Sequence, residues 1–162
     1  MAVGDVSRVS SGLYLIRFQL TTVGAGVAYT SGDALGGVFK IPVPSHGIIH
    51  NVKMTDPDND VLTPTIHIFD ALIAGVVDNL ASAFAVGEGV TQVLELALVP
   101  VAVGSYKYIS STSVNEHYYS NTGFLYGQCT TTGTPSIAAG LMPWVTLGII
   151  PADHLTLPAS SV

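Results

Sequence analysis

In the stretch Tyr14-Leu15-Ile16-Arg17-Phe18-Gln19-Leu20-Thr21, Tyr14, Ile16, Phe18 and Leu20 fall on one side, and Arg17, Gln19 and Thr21 on the other. A repeat of two is the repeat of a half-buried β-strand, because successive side chains of an extended chain point to opposite faces. Working outward, Ile48 to Thr55 and Thr65 to Phe69 read as strands. Thr91 to Val99, Ser105 to Ser110, His117 to Tyr119, Phe124 to Thr131 and Trp144 to Ile150 follow, separated by Gly, Pro, Asn and Ser. Many short strands at this spacing predict an all-β, antiparallel, jelly-roll-like sandwich. The single helical candidate is Asp78 to Ala85, with Asp78 as its cap and Leu80, Ala83 and Phe84 on one side. Residues 13–150 form the expected sandwich domain, 1–12 an extended N-terminal arm and 151–162 a C-terminal tail. Both ends are rich in polar or small residues, have little core to offer and are expected to be mobile in isolation.

Composition narrows the function classes. The chain has 162 residues, one domain by length, and only 10% of them are charged. A soluble domain is usually about one-quarter charged. Mean hydropathy is nevertheless positive. Weakly charged surfaces that accept apolar area are the surfaces of large permanent interfaces, so the chain reads as a component of an assembly. The longest apolar stretch, Ile137 to Ile150, is interrupted by Gly140, Pro143, Thr146 and Gly148, and a spanning helix needs about 20 apolar residues. Arg17 and Gln19 break the segment that a signal peptide would need, so the protein is expected to be intracellular when made. The net charge is −6, and the five basic residues Arg8, Arg17, Lys40, Lys53 and Lys107 never cluster. Without a basic patch, direct binding to nucleic acid is not expected. The one cysteine, Cys129, excludes an intramolecular disulfide and reads as a small buried apolar residue.

Groups that might carry chemistry are few. Asp56-Pro57-Asp58-Asn59-Asp60 imitates the start of an EF-hand loop, yet Val61 stands where the turn glycine belongs and His67 where the bidentate glutamate belongs. The same residues make a hairpin turn in which Pro57 fixes φ, with a loose Ca²⁺ site at Asp56, Asp58 and Asp60 as the alternative. A hairpin centred between Asp58 and Asn59 sets His50 opposite His67. That pair reads as half-buried polar residues, with a metal site or pH switch as the alternative. No Gly-x-Ser-x-Gly elbow, His-Glu-x-x-His, phosphate loop or Cys-x-x-Cys occurs, and Glu88, Glu95 and Glu116 have no recognisable catalytic context. An enzyme is not expected and no cofactor is implied. Tyr106, Tyr108, Tyr118, Tyr119 and Tyr126 crowd the second half, followed by Trp144. They read as core and subunit packing, or alternatively as an exposed stacking surface formed by Tyr118, Tyr119 and Trp144.

Three groups of segments carry a resemblance. The first is Ala28-Tyr29-Thr30-Ser31-Gly32-Asp33-Ala34-Leu35-Gly36-Gly37. The second runs from Gly47-Ile48-Ile49-His50-Asn51-Val52-Lys53-Met54-Thr55-Asp56 through Ile66-His67-Ile68-Phe69-Asp70 to Asp78-Asn79-Leu80-Ala81. The third runs from Leu125-Tyr126-Gly127 and Gly133-Thr134-Pro135 to Val145-Thr146-Leu147-Gly148-Ile149. In this order and spacing they resemble small virion structural proteins of tailed bacteriophages, of the kind that look like jelly-roll decoration, or cement, proteins on the outer capsid. The resemblance spans roughly Tyr29 to Ile150 and departs at His50, His67 and both ends. It implies a structural protein of the virion surface, passing through the host cytoplasm during assembly. Its partners would be the major capsid protein and further copies of itself, as a homotrimer rather than a dimer. Val3, Val6 and Val9 are the expected apolar anchors of an arm touching the capsid or a neighbour. The alternative is a glycan-binding head-fibre or receptor-binding sandwich.

Overall fold

The computed structural model describes residues 2–3, 5–10, 12–21, 28–57, 62–82, 84, 88–103, 106–111, 114–138, 141 and 143–152. Twelve strands are described: β1 (Ala2–Val3), β2 (Asp5–Ser10), β3 (Leu13–Gln19), β4 (Ala34–Pro42), β5 (His46–Asp56), β6 (Thr63–Phe69), β7 (Gln92–Ala97), β8 (Pro100–Val103), β9 (Tyr106–Ser111), β10 (Glu116–Tyr119), β11 (Phe124–Thr132) and β12 (Trp144–Pro151). They form two sheets. The first runs β1-β4-β11-β6-β7, and the second runs β2-β3-β12-β5-β9-β8, with β10 also pairing β5. Every pairing is antiparallel except β1 with β4.

Numbering the principal strands β3, β4, β5, β6, β7, β9, β11 and β12 from one to eight, the sheets read 2-7-4-5 and 1-8-3-6. That is the jelly-roll order, in which the chain crosses repeatedly from one sheet to the other. The alternation read at the start of the chain sets the inner face. Ile16, Phe18 and Leu20 are buried while Arg17 is exposed. Phe18 meets Phe39 of β4 with ring centroids 4.7 Å apart. Ile49, Val52 and Met54 of β5 belong to the same core as Ile66 and Ile68 of β6, Leu125 and Cys129 of β11, and Leu147 and Ile149 of β12. Burial pushes the Cys129 thiol far up, leaving it neutral and inert.

Two glycines place the backbone where a side chain will not go. Gly36 has φ +78° and lies in a register shift of β4 against β11, where Gly127 faces Phe39 and Cys129 faces Leu35. A Cβ on Gly127 would stand 2.4 Å from the Phe39 ring and 2.6 Å from the His67 carbonyl oxygen.

The ends of the chain differ from the expectation. Ala2–Val3 pairs β4 at the edge of the first sheet, and Asp5–Ser10 pairs β3 at the edge of the second. The N-terminal segment thus straddles the sandwich and covers one edge of each sheet, so it is a pair of edge strands where a free arm was expected. Two exposed edges at β3 and β4 supply unpaired backbone groups for it, which outweighs its small side chains. Residues 153–162 of the expected tail lie outside the described residues.

Candidate functional site

The Asp56-to-Asp60 turn does not close a hairpin. β5 belongs to the second sheet, between β12 and the β9/β10 pair, and β6 belongs to the first, between β11 and β7. The chain there crosses the sandwich, and the strands meet face to face across the core instead of edge to edge. Symmetry about a turn cannot distinguish the two arrangements, because both leave one apolar face on each strand. Asp56 is fully buried, and Asp58 and Asp60 lie outside the described residues.

His50 and His67 are consequently on different sheets, which corrects the expected cross-strand pair. His50 Nδ1 lies 2.9 Å from Asn115 Oδ1, and its carbonyl accepts from the Val114 N–H at 3.0 Å. His67 is buried on the outer side of the first sheet. Its Nε2 is 3.2 Å from Thr130 Oγ1, its Nδ1 is 3.9 Å from Glu95 Oε2, and its ring packs 4.7 Å from that of Phe84. Burial holds the imidazole below its ordinary pKa, and the Glu95 carboxylate offsets this only partly. Among the described residues no group of three or more His, Cys, Asp or Glu side chains is arranged to hold a metal ion.

The three aromatics expected to share a stacking surface are separated. Tyr118 is buried opposite Gly47, and its hydroxyl is pushed well up by desolvation, whereas Tyr119 beside it is 59% exposed. Tyr119 pairs with His46 at one end of β5, while Trp144 pairs with Thr55 at the other. Nine residues at about 3.3 Å each put them roughly 30 Å apart. Trp144 instead carries Arg17, whose guanidinium carbon lies 4.4 Å from the ring centroid.

What the alternation did not reveal is the long connection between β6 and β7, residues 70–91. Among the described residues of the expected helix at Asp78 to Ala85, 78–82 and 84, none is helical. In its place Ala34 N–H donates to the Leu80 carbonyl, Asn79 N–H to the Ala34 carbonyl and Ser82 N–H to the Gly32 carbonyl, with a bridge between Asp33 and Ala81. The segment spends its backbone groups on the start of β4, and Asn79 sits at φ +60°, outside helical geometry. Two buried side chains pin it. The Asp78 carboxylate accepts from Tyr29 Oη at 2.8 and 3.0 Å and from Gly36 N–H at 2.6 Å. Gln128 of β11 accepts from the Val76 N–H at 3.2 Å and donates to the Val76 carbonyl at 2.5 Å. Burial first, then the Asp78 contact, pushes the Tyr29 hydroxyl far up.

This strap ends in a short 3-10 turn, Glu88–Thr91. Asp70 N–H donates to the Thr91 carbonyl at 2.9 Å and Ala74 N–H to Glu88 Oε1 at 2.6 Å, so the first and last parts of the strap lie side by side. Ile73 of the strap is buried, whereas several of its other large apolar side chains face outward. Val90 is 87% exposed, Leu72 66% and Val77 62%, with Leu80 exposed further along. A connection of this length in a compact domain is itself a functional signal, which the sequence carried in the run Leu72 to Val77.

A cavity of about 300 Å³ opens at one end of the sandwich, lined by Tyr14, Ile16, Pro42, Val43, Pro44, Gly123 and Ile149. Its walls are mainly apolar. No family model, no curated protein and no solved structure matches this chain.

Proposed function

We propose that the protein is a structural component of a virion: a decoration, or cement, protein that binds the outer surface of a tailed-phage head and strengthens contacts between capsomers. The observation that carries this reading is the outward display of large apolar side chains by a chain with only 10% charged residues. Free-standing proteins rarely leave such groups on a strap fastened down by buried hydrogen bonds; surfaces that are to be covered do. The jelly-roll scaffold and the resemblance across Tyr29 to Ile150 favour the same reading.

The mechanism needs no reacting group. A rigid sandwich spans two neighbouring capsomers, and each contact of the standard size, about 1,600 Å² in total, resists their separation. Repetition over the shell multiplies the effect without any single contact being strong.

The test is cosedimentation of the purified chain with capsids that lack it, followed by a thermal challenge of the particles. Saturable binding with raised particle resistance is expected. Absence of binding at micromolar chain concentration would refute the proposal.

A further inference from the structure

Three side chains stand in register across the outer face of the first sheet: Gln128 of β11, His67 of β6 and Glu95 of β7. Gln128 fastens the strap through both backbone groups of Val76. His67 lies under Phe84 of the strap, whose ring packs 4.7 Å from the imidazole and 5.1 Å from the ring of Phe69. The Glu95 side chain is mostly exposed and accepts from Gln92 Nε2 at 3.1 Å.

The imidazole in the middle of this row is incompletely partnered. Its Nε2 is 3.2 Å from Thr130 Oγ1, but its Nδ1 is buried without a hydrogen-bond partner. The Glu95 carboxylate, 3.9 Å away, is beyond hydrogen-bond reach. Among the described residues it is the one charged side chain acting on the ring. The neighbours from β11 and the strap, Gln128, Thr130 and Phe84, are neutral, as are Thr65 and Phe69 on the same strand. A neutral imidazole forgoes a single contact in this setting. An imidazolium donates from both nitrogens, and its Nδ1–H would be a buried cationic donor with no acceptor.

We infer that His67 is a pH-sensitive latch: when it takes up a proton, Phe84 lifts off the ring and the strap opens over β6. Opening lets water reach both nitrogens and solvate the charge. It also uncovers Phe69, which is fully buried while the strap is closed. The sign follows from linkage. The closed arrangement holds the imidazole below its ordinary pKa of 6.5. Opening is therefore disfavoured above pH 6.5 and favoured progressively as pH falls below it. With the open ring titrating at its ordinary value, the open fraction rises by at most about tenfold between pH 7.5 and 5.5. The inference goes beyond the decoration reading and does not depend on it.

The test is limited digestion by thermolysin of the full-length wild type, His67→Gln, His67→Phe and Glu95→Gln at pH 7.5, 6.5 and 5.5. Each rate is divided by that of an unstructured peptide at the same pH, and circular dichroism verifies that every protein is folded. Cleavage within 70–91 should rise about five- to tenfold in the wild type from pH 7.5 to 5.5. Both His67 variants should be cut at a rate that pH does not change; phenylalanine keeps an aromatic ring under Phe84, so the comparison stands even where glutamine disturbs the sheet. Glu95→Gln removes the charge that partly offsets burial, so its rise at acid pH should be at least as large as that of the wild type. His46, His50 and His117 lie on strands of the second sheet, so their titration would not single out the strap. A wild-type change of less than about twofold, a rise that persists in both His67 variants, a smaller rise in Glu95→Gln, or cleavage spread along the sandwich would overturn the inference.

Discussion

Replacing Asp78 by alanine should release the β6–β7 strap, and the cost can be worked from its contacts. The carboxylate is buried and accepts from two buried donors, the Tyr29 hydroxyl at 2.8 and 3.0 Å and the Gly36 N–H at 2.6 Å. Alanine leaves both donors without this acceptor in a place that water does not reach. Each stranded donor costs about 1–3 kcal/mol, so the expected loss is roughly 2–5 kcal/mol after allowing for the desolvation that the carboxylate no longer suffers. Against a total stability of about 5–15 kcal/mol, that is a large fraction.

The assay is urea unfolding, read as a fall in the midpoint, together with limited proteolysis of the native protein. If the strap acts as a latch, cleavage within 70–91 should accelerate under conditions where the sandwich is still folded, because local opening requires less free energy than global unfolding. Tyr29→Phe removes the hydroxyl donor, and combined with Asp78→Ala it should show a coupling of about 1–2 kcal/mol, as expected for groups in direct contact. A midpoint change equivalent to less than about 0.5 kcal/mol, with unaltered proteolysis, would refute the latch.

Gly127→Ala tests the tight packing of β11 between β4 and β6 in the first sheet. Its Cβ would lie 2.4 Å from the Phe39 ring and 2.6 Å from a backbone oxygen, which cannot move aside cheaply, so a loss of about 1–3 kcal/mol and a drop of several degrees in Tm are expected; an unchanged Tm would show that β4 and β11 are not held as described. The buried His67 gives the fold a pH dependence. Because its folded pKa is lowered, its contribution is present above the unfolded value of about 6.5 and is lost as pH falls below that value toward the folded one. Urea midpoints for the wild type should therefore fall between pH 7 and 5 more steeply than for His67→Gln, and parallel curves would contradict this assignment.

The sequence was legible wherever a strand buries one face and exposes the other. Ile16, Phe18 and Leu20 face the core as the alternation at Tyr14 to Leu20 requires, and the strands read at Ile48 to Thr55, Phe124 to Thr131 and Trp144 to Ile150 fall within β5, β11 and β12. It was not legible where backbone demand decides. The pattern of β4 is interrupted in the sequence by Gly36 and Gly37, yet Gly36, at φ +78°, is what the register shift against β11 uses. β8 is a short uncharged run beginning at Pro100 and has no alternation to find. The N-terminal segment reads as an arm because its side chains are polar or small, although its backbone is what the two open edges need.

The absence of the expected helix from the described residues of the strap has an identifiable cause. Asp78 has the residue type of a helix cap, and an acceptor that satisfies helix N–H groups is equally able to satisfy a distant Gly36 N–H and a tyrosine hydroxyl. Local sequence names the acceptor but not the donor, and only the fold brings Tyr29, 49 residues away, to it. With the strap fastened to those partners, Ile73 is buried while Leu72, Val77 and Val90 face outward. The outward display of these apolar side chains thus goes with the way the strap is fastened, and loosening Asp78 is expected to disturb both together.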